Sequence, residues 1–240
     1  TRRSSDLVLQ RDAQGKTTLG LKAWQRSASN AINGTDVAVQ RRVQAGWELS
    51  GERQQFSGNS SISAWLAYRK GTGAFGALPA PEELFGEGTS RMGLINTDLA
   101  LNMPFRLGAH SMRWSSVWRG QYNTTRLTPL DLFAIGGRYT VRGFDGERQL
   151  AAERGWLWRN DLGLALGQSG QELYLGLDYG QVGGPSAVQL LGRSLAGAVI
   201  GVRGAYAGAQ YDVSAGSPIA KPQYFVTLRS TINFSLNWLF

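Results

Sequence analysis

The feature that most limits the fold of this chain is a strict alternation of apolar and polar residues over segments of about ten residues. In residues 171–180, leucine or tyrosine stands at the odd positions from 173 to 179, whereas the even positions carry Tyr174, Gly176, Asp178 and Gly180. A period of two is typical of a β-strand, in which successive side chains point to opposite faces. The pattern predicts an all-β chain of ten strands, near 16–26, 37–49, 61–70, 93–105, 111–122, 156–166, 171–180, 195–206, 209–216 and 223–240.

The length and the polar face of these segments favour a membrane barrel over a soluble β-sandwich, which stays the alternative. Strands of a sandwich average about 5 to 6 residues, whereas a tilted strand needs about 9 to 11 to cross an outer membrane. The polar face mixes glycine, serine and threonine with arginine and aspartate, as a water-filled lumen would. Aromatic residues stand near strand ends, as in an interfacial girdle: Tyr122, Trp156, Trp158, Tyr179 and Trp238. We predict a transmembrane antiparallel β-barrel in contact with outer-membrane lipid.

Composition excludes several other classes of protein. The 240 residues include no cysteine and one histidine, which excludes thiolate and multi-histidine metal sites, and we expect no metal and no cofactor. The longest apolar runs fall far short of the roughly 20 residues that a membrane helix needs. The net charge is +8, but arginines are spread one per strand on the polar face, which favours a cationic pore lining over nucleic-acid binding: Arg113, Arg119, Arg159, Arg203 and Arg229.

Short and long connections alternate between the predicted strands. Outer-membrane barrels show this alternation because their periplasmic turns are tight and their outward loops are long. The connection over residues 123–153 is about twice as long as the 12 to 15 residues beyond which loops are usually functional or disordered. We therefore look for function in this loop.

The middle of the long loop contains the tetrad Val141, Arg142, Gly143 and Phe144. Residues 153–162 (ERGWLWRNDL) and 176–180 (GLDYG) follow it. With these three motifs the chain resembles the TpsB transporters of two-partner secretion, a branch of the Omp85 superfamily, over essentially its whole length. Members of that branch carry a Val-Arg-Gly-Tyr/Phe tetrad at the tip of the sixth outside loop.

The resemblance implies an outer-membrane pore that secretes a large TpsA-type exoprotein, similar to filamentous haemagglutinin, and catalyses no reaction. It also implies sixteen strands in the full protein, preceded by POTRA domains. Residues 1–240 would then be the C-terminal portion of the barrel, with the POTRA domains and first strands absent from this chain. The terminal Phe240 matches the aromatic residue that the barrel-assembly machinery reads. A passive porin-like channel and an Omp85-type insertase stay open as alternatives.

By the same resemblance, the loop folds into the lumen and Arg142 pairs with Asp178, which lies on the polar parity of its strand. A solvated loop arginine is the alternative. Gly143 would allow close approach to the wall, and Phe144 would pack against lumen aromatics such as Tyr174. Asp145 and Glu147 are either supporting partners or solvated side chains.

Overall fold

The computed structural model describes residues 2–29, 31–32, 35–36, 41–167 and 169–238, and these are mostly β-strand. In chain order the strands are β1 (Arg2–Asp12), β2 (Gly15–Ala28), β3 (Ala31–Ile32), β4 (Thr35–Asp36), β5 (Arg42–Ser57), β6 (Ser60–Thr72), β7 (Gly93–Leu107), β8 (His110–Asn123), β9 (Phe133–Ile135), β10 (Leu150–Ala152), β11 (Arg154–Ala165), β12 (Glu172–Gly183), β13 (Ser194–Tyr206), β14 (Ala209–Ala220) and β15 (Thr231–Trp238). Short 3-10 helices cover Pro81–Phe85, Pro129–Asp131 and Pro185–Gln189.

Eleven long strands of the described residues form one sheet in the order β1-β2-β5-β6-β7-β8-β11-β12-β13-β14-β15. The pairs β3–β4 and β9–β10 stand apart as two-stranded ribbons. Where strand pairs are resolved in register, they run antiparallel. In the part of the chain that the structure describes, no helix is long and apolar enough to cross a bilayer.

The strand that sequence analysis missed is β1. Its apolar residues Leu7, Val8 and Leu9 are consecutive, and all three are exposed. The pairing with β2 shifts register between Val8 and Gln10, which is the signature of a β-bulge. A bulge breaks the period of two, so alternation does not reveal this strand.

The prediction of a last strand over 223–240 is wrong at its start, because β15 begins at Thr231. Tyr224 has a φ of 67°, in the left-handed region, and Phe225 is buried although it lies on the polar parity. Residues 221–230 therefore form a loop before the strand. Phe240, the proposed assembly signal, lies outside the described residues.

Connection lengths alternate, as the sequence predicts. Tight turns cover residues 13–14, 58–59, 108–109, 166–171 and 207–208, and longer connections cover 29–41, 73–92, 124–153, 184–193 and 221–230. The strand predicted near 37–49 is wrong at its end, because β5 continues to Ser57, and residues 37–40 of that prediction lie outside the described residues.

The two faces of β12 differ as its alternation predicts. Leu173, Leu175 and Leu177 are exposed on one face, and Tyr174 and Asp178 are buried on the other. We call the face that carries Asp178 the inner face, and β11 contributes Leu157, Arg159 and Asp161 to it through register with β12.

The chain divides into two compact units. The first (1–55, 63–98 and 120–132) has a core of Trp24, Met92, Leu94 and Leu127. The second (56–62, 99–119 and 133–240) has a core that joins sheet residues with residues of the long loop: Phe133, Ile135, Val141, Phe144, Leu150, Ala152, Leu157, Val182, Ala187, Leu195 and Phe225. Because loop residues form part of that core, the loop packs against the inner face of the sheet.

An arginine on the outer face tests the assignment of faces. Leu177 lies near the middle of β12 and is exposed, so Leu177→Arg is expected to cost about 2 to 4 kcal/mol of unfolding free energy in a bilayer. Gln181 lies on the same face near the strand end, and Gln181→Arg is expected to cost about 0 to 1 kcal/mol. Urea unfolding from lipid vesicles measures both, and equal losses would contradict the assignment.

Candidate functional site

The tetrad is buried in the second unit, at the far end of the β9–β10 ribbon. Val141, Arg142 and Phe144 are 0%, 7% and 3% exposed. The turn that presents them is closed by hydrogen bonds from the Gly137 amide to the Val141 carbonyl at 3.1 Å and from the Thr140 amide to the Gly137 carbonyl at 2.9 Å. A loop arginine that is this buried is not a solvated one.

Glycines of β12 leave room for the tetrad side chains. A β-carbon at Gly176 would lie 2.6 Å from Nη2 of Arg142, and one at Gly180 would lie 2.8 Å from Cγ2 of Val141. Real β-carbons essentially never come this close to another heavy atom. A side chain added at either position would require the Arg142 or Val141 side chain, or another neighbouring side chain, to shift.

The tetrad backbone contacts the two following strands just as closely. A β-carbon at Gly197 of β13 would overlap the carbonyl oxygen of Arg142. Gly143 has a φ of 92°, which favours glycine, and its own β-carbon would lie 2.5 Å from the carbonyl oxygen of Ser217 in β14. We call Gly176, Gly180, Gly197 and Gly216 the glycine recess, since each would meet the tetrad if it carried a side chain.

Arg142 and Asp178 are joined by three hydrogen bonds. The Arg142 amide and Nε donate to Oδ2 of Asp178 at 2.9 and 2.8 Å, and Nη2 donates to Oδ1 at 2.7 Å. The side chain of Asp178 is fully buried. A bidentate guanidinium–carboxylate pair fixes both distance and orientation, so it holds the loop in one position.

A second carboxylate, Asp161 of β11, shares the arginine. Nη2 of Arg142 donates to its Oδ1 at 2.5 Å. Asp161 lies directly opposite Gly176 in register, so the missing side chain at Gly176 opens the space in which Arg142 reaches both acids. Sequence analysis did not assign Asp161 a role, because cross-strand register is not readable from the motif.

The ion pairs continue along the inner face toward the tight turns. Arg203 of β13 contacts the other oxygen of Asp161 at 3.0 Å and Oε1 of Glu172 at 2.6 Å. Arg113 of β8 contacts the same oxygen of Glu172 at 2.8 Å. The tetrad arginine is thus a member of a connected set of charges rather than half of an isolated pair.

Burial alone would lower the pKa of Arg142, but hydrogen bonds with Asp178 and Asp161 outweigh it, and the pKa lies above its ordinary value. The two carboxylates therefore favour the charged form of Arg142.

Sequence analysis expected Phe144 to pack against Tyr174, but the two rings have other partners. The ring of Phe144 packs edge-to-face on Phe225, with centroids 5.9 Å apart. The hydroxyl of Tyr174 donates to Asp212 at 2.9 Å, and the guanidinium of Arg203 lies 4.5 Å from its ring centre. Phe225 was missed because it belongs to the segment that period two assigned to the last strand.

Asp145 connects the tetrad loop to the loop before β15. Its Oδ2 accepts the Leu228 amide at 2.8 Å, and its Oδ1 accepts the Glu147 amide at 3.1 Å. The hydrogen bond from Leu228 and, after it, that from Glu147 lower the pKa of Asp145. Glu147 contributes its backbone to this arrangement, and its side chain is exposed.

Two further buried carboxylates, Asp131 and Glu153, hold the long connection over residues 124–153 in place. In the first unit, Asp131 accepts hydrogen bonds from Arg26 at 2.8 Å and Thr128 at 3.0 Å. In the second, Glu153 accepts the amide and hydroxyl of Ser186, the latter at 2.8 Å. Neither residue was predicted, since a lone acid in a loop carries no sequence signal of burial.

Two cavities adjoin the ion pairs within the second unit. One of about 720 Å³ is lined by residues that include Arg113, Glu172, Arg203 and Asp212. A smaller one of about 210 Å³ is lined by Arg138, Tyr139, Arg142, Arg159, Tyr174, Asp212, Ser214, Asn233 and Ser235. Space for water thus reaches the charged side chains on the inner face.

The glycine recess can be tested with a buried reporter. The chain has no cysteine of its own, so Val141→Cys gives a single thiol at a fully buried position. Adding Gly197→Ala is expected to speed its reaction with a maleimide about tenfold or more, because the new methyl group overlaps the Arg142 carbonyl. Gly183→Ala is the matched control, since its β-carbon would meet only Arg154 Cγ at 3.9 Å. Equal rates in both variants would count against the recess.

Comparison with known proteins agrees with the family that the tetrad and its neighbouring motifs indicate. A family model described as haemolysin secretion/activation protein ShlB/FhaC/HecB matches residues 2–204. The outer membrane transporter CdiB-2 of Burkholderia pseudomallei (strain 1026b) is 37% identical over 233 residues, which are 95% of this chain and 40% of that protein. The hemolysin transporter protein ShlB of Serratia marcescens is 26% identical over 180 residues, 74% of this chain and 32% of that protein.

Among solved structures, CdiB from Acinetobacter baumannii superposes with a TM-score of 0.85 at 29% identity, covering 99% of this chain and 41% of that one. The chain thus spans about 40% of the length of CdiB-2 and of this structure. The motifs around the tetrad suggested one member of the family, the filamentous haemagglutinin transporter. That identity is not supported, since the relatives described above are CdiB proteins and ShlB. The prediction of an outer-membrane β-barrel is confirmed, and the chain belongs to the ShlB/FhaC/HecB family of secretion proteins, which are outer-membrane transporters.

Proposed function

We propose that residues 1–240 are the C-terminal portion of the barrel of a two-partner secretion transporter. The whole protein would pass one large TpsA-type exoprotein, similar to filamentous haemagglutinin, through its lumen to the cell surface. The observation that carries the proposal is the tetrad of the family buried against the inner face, with Arg142 bound to Asp178 by three hydrogen bonds. One of the relatives is a hemolysin transporter, which fits an exoprotein as the cargo.

The Arg142–Asp178 pair would hold the loop inside the lumen. Closing a loop of about 30 residues onto a wall costs entropy, and an exposed ion pair contributes only about 0.2 to 1 kcal/mol. This pair is buried and bidentate, and it is supported by the packing of Phe144 on Phe225. Together these contacts can keep the loop docked, so the loop would control how much of the lumen is open to cargo.

The inner face suits an extended polypeptide better than a compact ligand. Its charged side chains alternate in sign along the inner face, from Arg113 and Glu172 through Arg203 to Asp161. An unfolded chain can exchange hydrogen bonds with such a wall without a fixed binding pose. No reaction is part of this proposal, because the transported chain is not altered.

POTRA domains and the first strands would precede this portion and receive the exoprotein in the periplasm. The barrel-assembly machinery would read Phe240 during insertion into the outer membrane.

Secretion of the exoprotein by the full-length transporter tests the role of the pair. Arg142→Ala and Asp178→Ala are each expected to reduce secretion about tenfold or more, because each removes several hydrogen bonds to a charged group. The double variant is expected to be little worse than either single one, since both remove the same contact.

Arg148→Ala is the matched control, because Arg148 is an exposed arginine of the same loop. Heat-modifiable migration on gels shows whether each barrel has assembled. Normal secretion by Arg142→Ala, or additive losses in the double variant, would remove the pair from the mechanism.

A further inference from the structure

Asp178 has a second arginine beside it, which the docked loop does not use. Arg159 of β11 is the cross-strand register partner of Asp178, and its Nε lies 3.6 Å from Oδ2. That oxygen already accepts two hydrogen bonds from Arg142. Arg159 is therefore near Asp178 but beyond direct hydrogen-bond distance.

The two arginines reach Asp178 in different ways. Arg142 comes from the long loop, so its contact exists only while the loop is docked. Arg159 is held opposite Asp178 by the ladder of β11 and β12, and directly opposed β-carbons lie about 4.5 to 5.5 Å apart in such a ladder. Loss of the loop contact would leave Arg159 in place.

Arg159 also has room to move. Its side chain is 27% exposed, and it lines the smaller cavity together with Arg142 and Tyr174. A change of rotamer would bring its guanidinium the few tenths of an ångström that separate an ion pair at 3.6 Å from a hydrogen bond.

Every carboxylate in this connected set of ion pairs has an arginine partner from the sheet. Asp178 faces Arg159 of the neighbouring strand β11, whereas Asp161 and Glu172 are bound by arginines that lie one or two strands away, Arg203 and Arg113. Arg142 adds a fourth positive charge to these three pairs. Its departure therefore leaves none of these three acids without an arginine partner.

We propose that Arg159 is a positioning residue that replaces Arg142 on Asp178 when the tetrad loop leaves the glycine recess. A buried carboxylate without a partner is costly, so undocking would otherwise be strongly opposed. With Arg159 available, the loop exchanges one pair for another, and docking is reversible. This inference deepens the proposed function, since it rests on the loop being held in the lumen.

The direction in which removal of Arg159 shifts docking of the tetrad loop distinguishes this role from a structural one. In the docked state Arg159 and Arg142 are like charges on one carboxylate, so Arg159 disfavours docking and favours release. Removing Arg159 is therefore expected to hold the loop more firmly, whereas loss of a merely structural arginine would loosen it.

Labelling of a buried thiol in the full-length protein tests this directly. Starting from Val141→Cys, the added substitution Arg159→Gln is expected to slow the maleimide reaction about tenfold. The undocked state, which is the one that reacts, then loses one hydrogen bond to a charged group, and such a bond corresponds to about a tenfold change in population. Arg159→Lys keeps the charge and is expected to restore a rate near that of Val141→Cys alone. An unchanged or faster reaction with Arg159→Gln would overturn the proposal.

Unfolding in urea provides an independent comparison. Arg159→Gln is expected to change the free energy of unfolding little while Arg142 is present. In the Arg142→Ala background it is expected to lower that free energy clearly, because Asp178 then loses both partners. Equal effects in the two backgrounds, or failure of Arg159→Gln alone to assemble, would overturn the proposal. Neither measurement uses secretion. If they show that Arg159 does not replace Arg142 on Asp178, the secretion test of Arg142 and Asp178 is unaffected.

Discussion

The buried pair of Arg142 and Asp178 is the interaction on which the candidate site depends. A charge pair is stable in this setting only if hydrogen bonds replace the water that both groups lose. The structure supplies them: three between the two residues and a fourth from Arg142 to Asp161. Each of these requires the tetrad backbone to approach the sheet far more closely than side chains usually permit.

That approach explains where some of the 32 glycines of the chain stand. On the inner face, Gly176 and Gly180 flank Asp178 in β12, and Gly197 lies opposite Asp178 in β13. Three inner-face positions around the acid thus lack a side chain, and the loop fits into the space that they leave, while Arg159 lies opposite the acid on its other side. Since glycine weakens a strand interior, their placement here is best understood as space reserved for the loop. The outer face carries exposed leucines at the same level.

Much of this arrangement could be predicted from the sequence, because alternation fixes which face each side chain occupies. It placed Asp178 on the inner face and the leucines of β12 outside, and connection lengths singled out the tetrad loop. Alternation failed where the backbone departs from a regular ladder, at the bulge around Leu9 and in the loop that buries Phe225. Asp161 and Arg159 required the register between strands, which depends on how the sheet assembles rather than on either segment alone.

A disulfide between the loop and the wall tests most directly whether the tetrad occupies the glycine recess in the membrane. A β-carbon at Gly180 would lie 2.8 Å from Cγ2 of Val141, so Val141→Cys with Gly180→Cys places two sulfur atoms within bonding reach in a chain that has no other cysteine. We expect the bond to form in the assembled transporter in cells, and to form less when Asp178→Asn weakens the hold on Arg142. Absence of the bond, or equal cross-linking of Val141→Cys to Gly183→Cys, would contradict docking of the tetrad at this site.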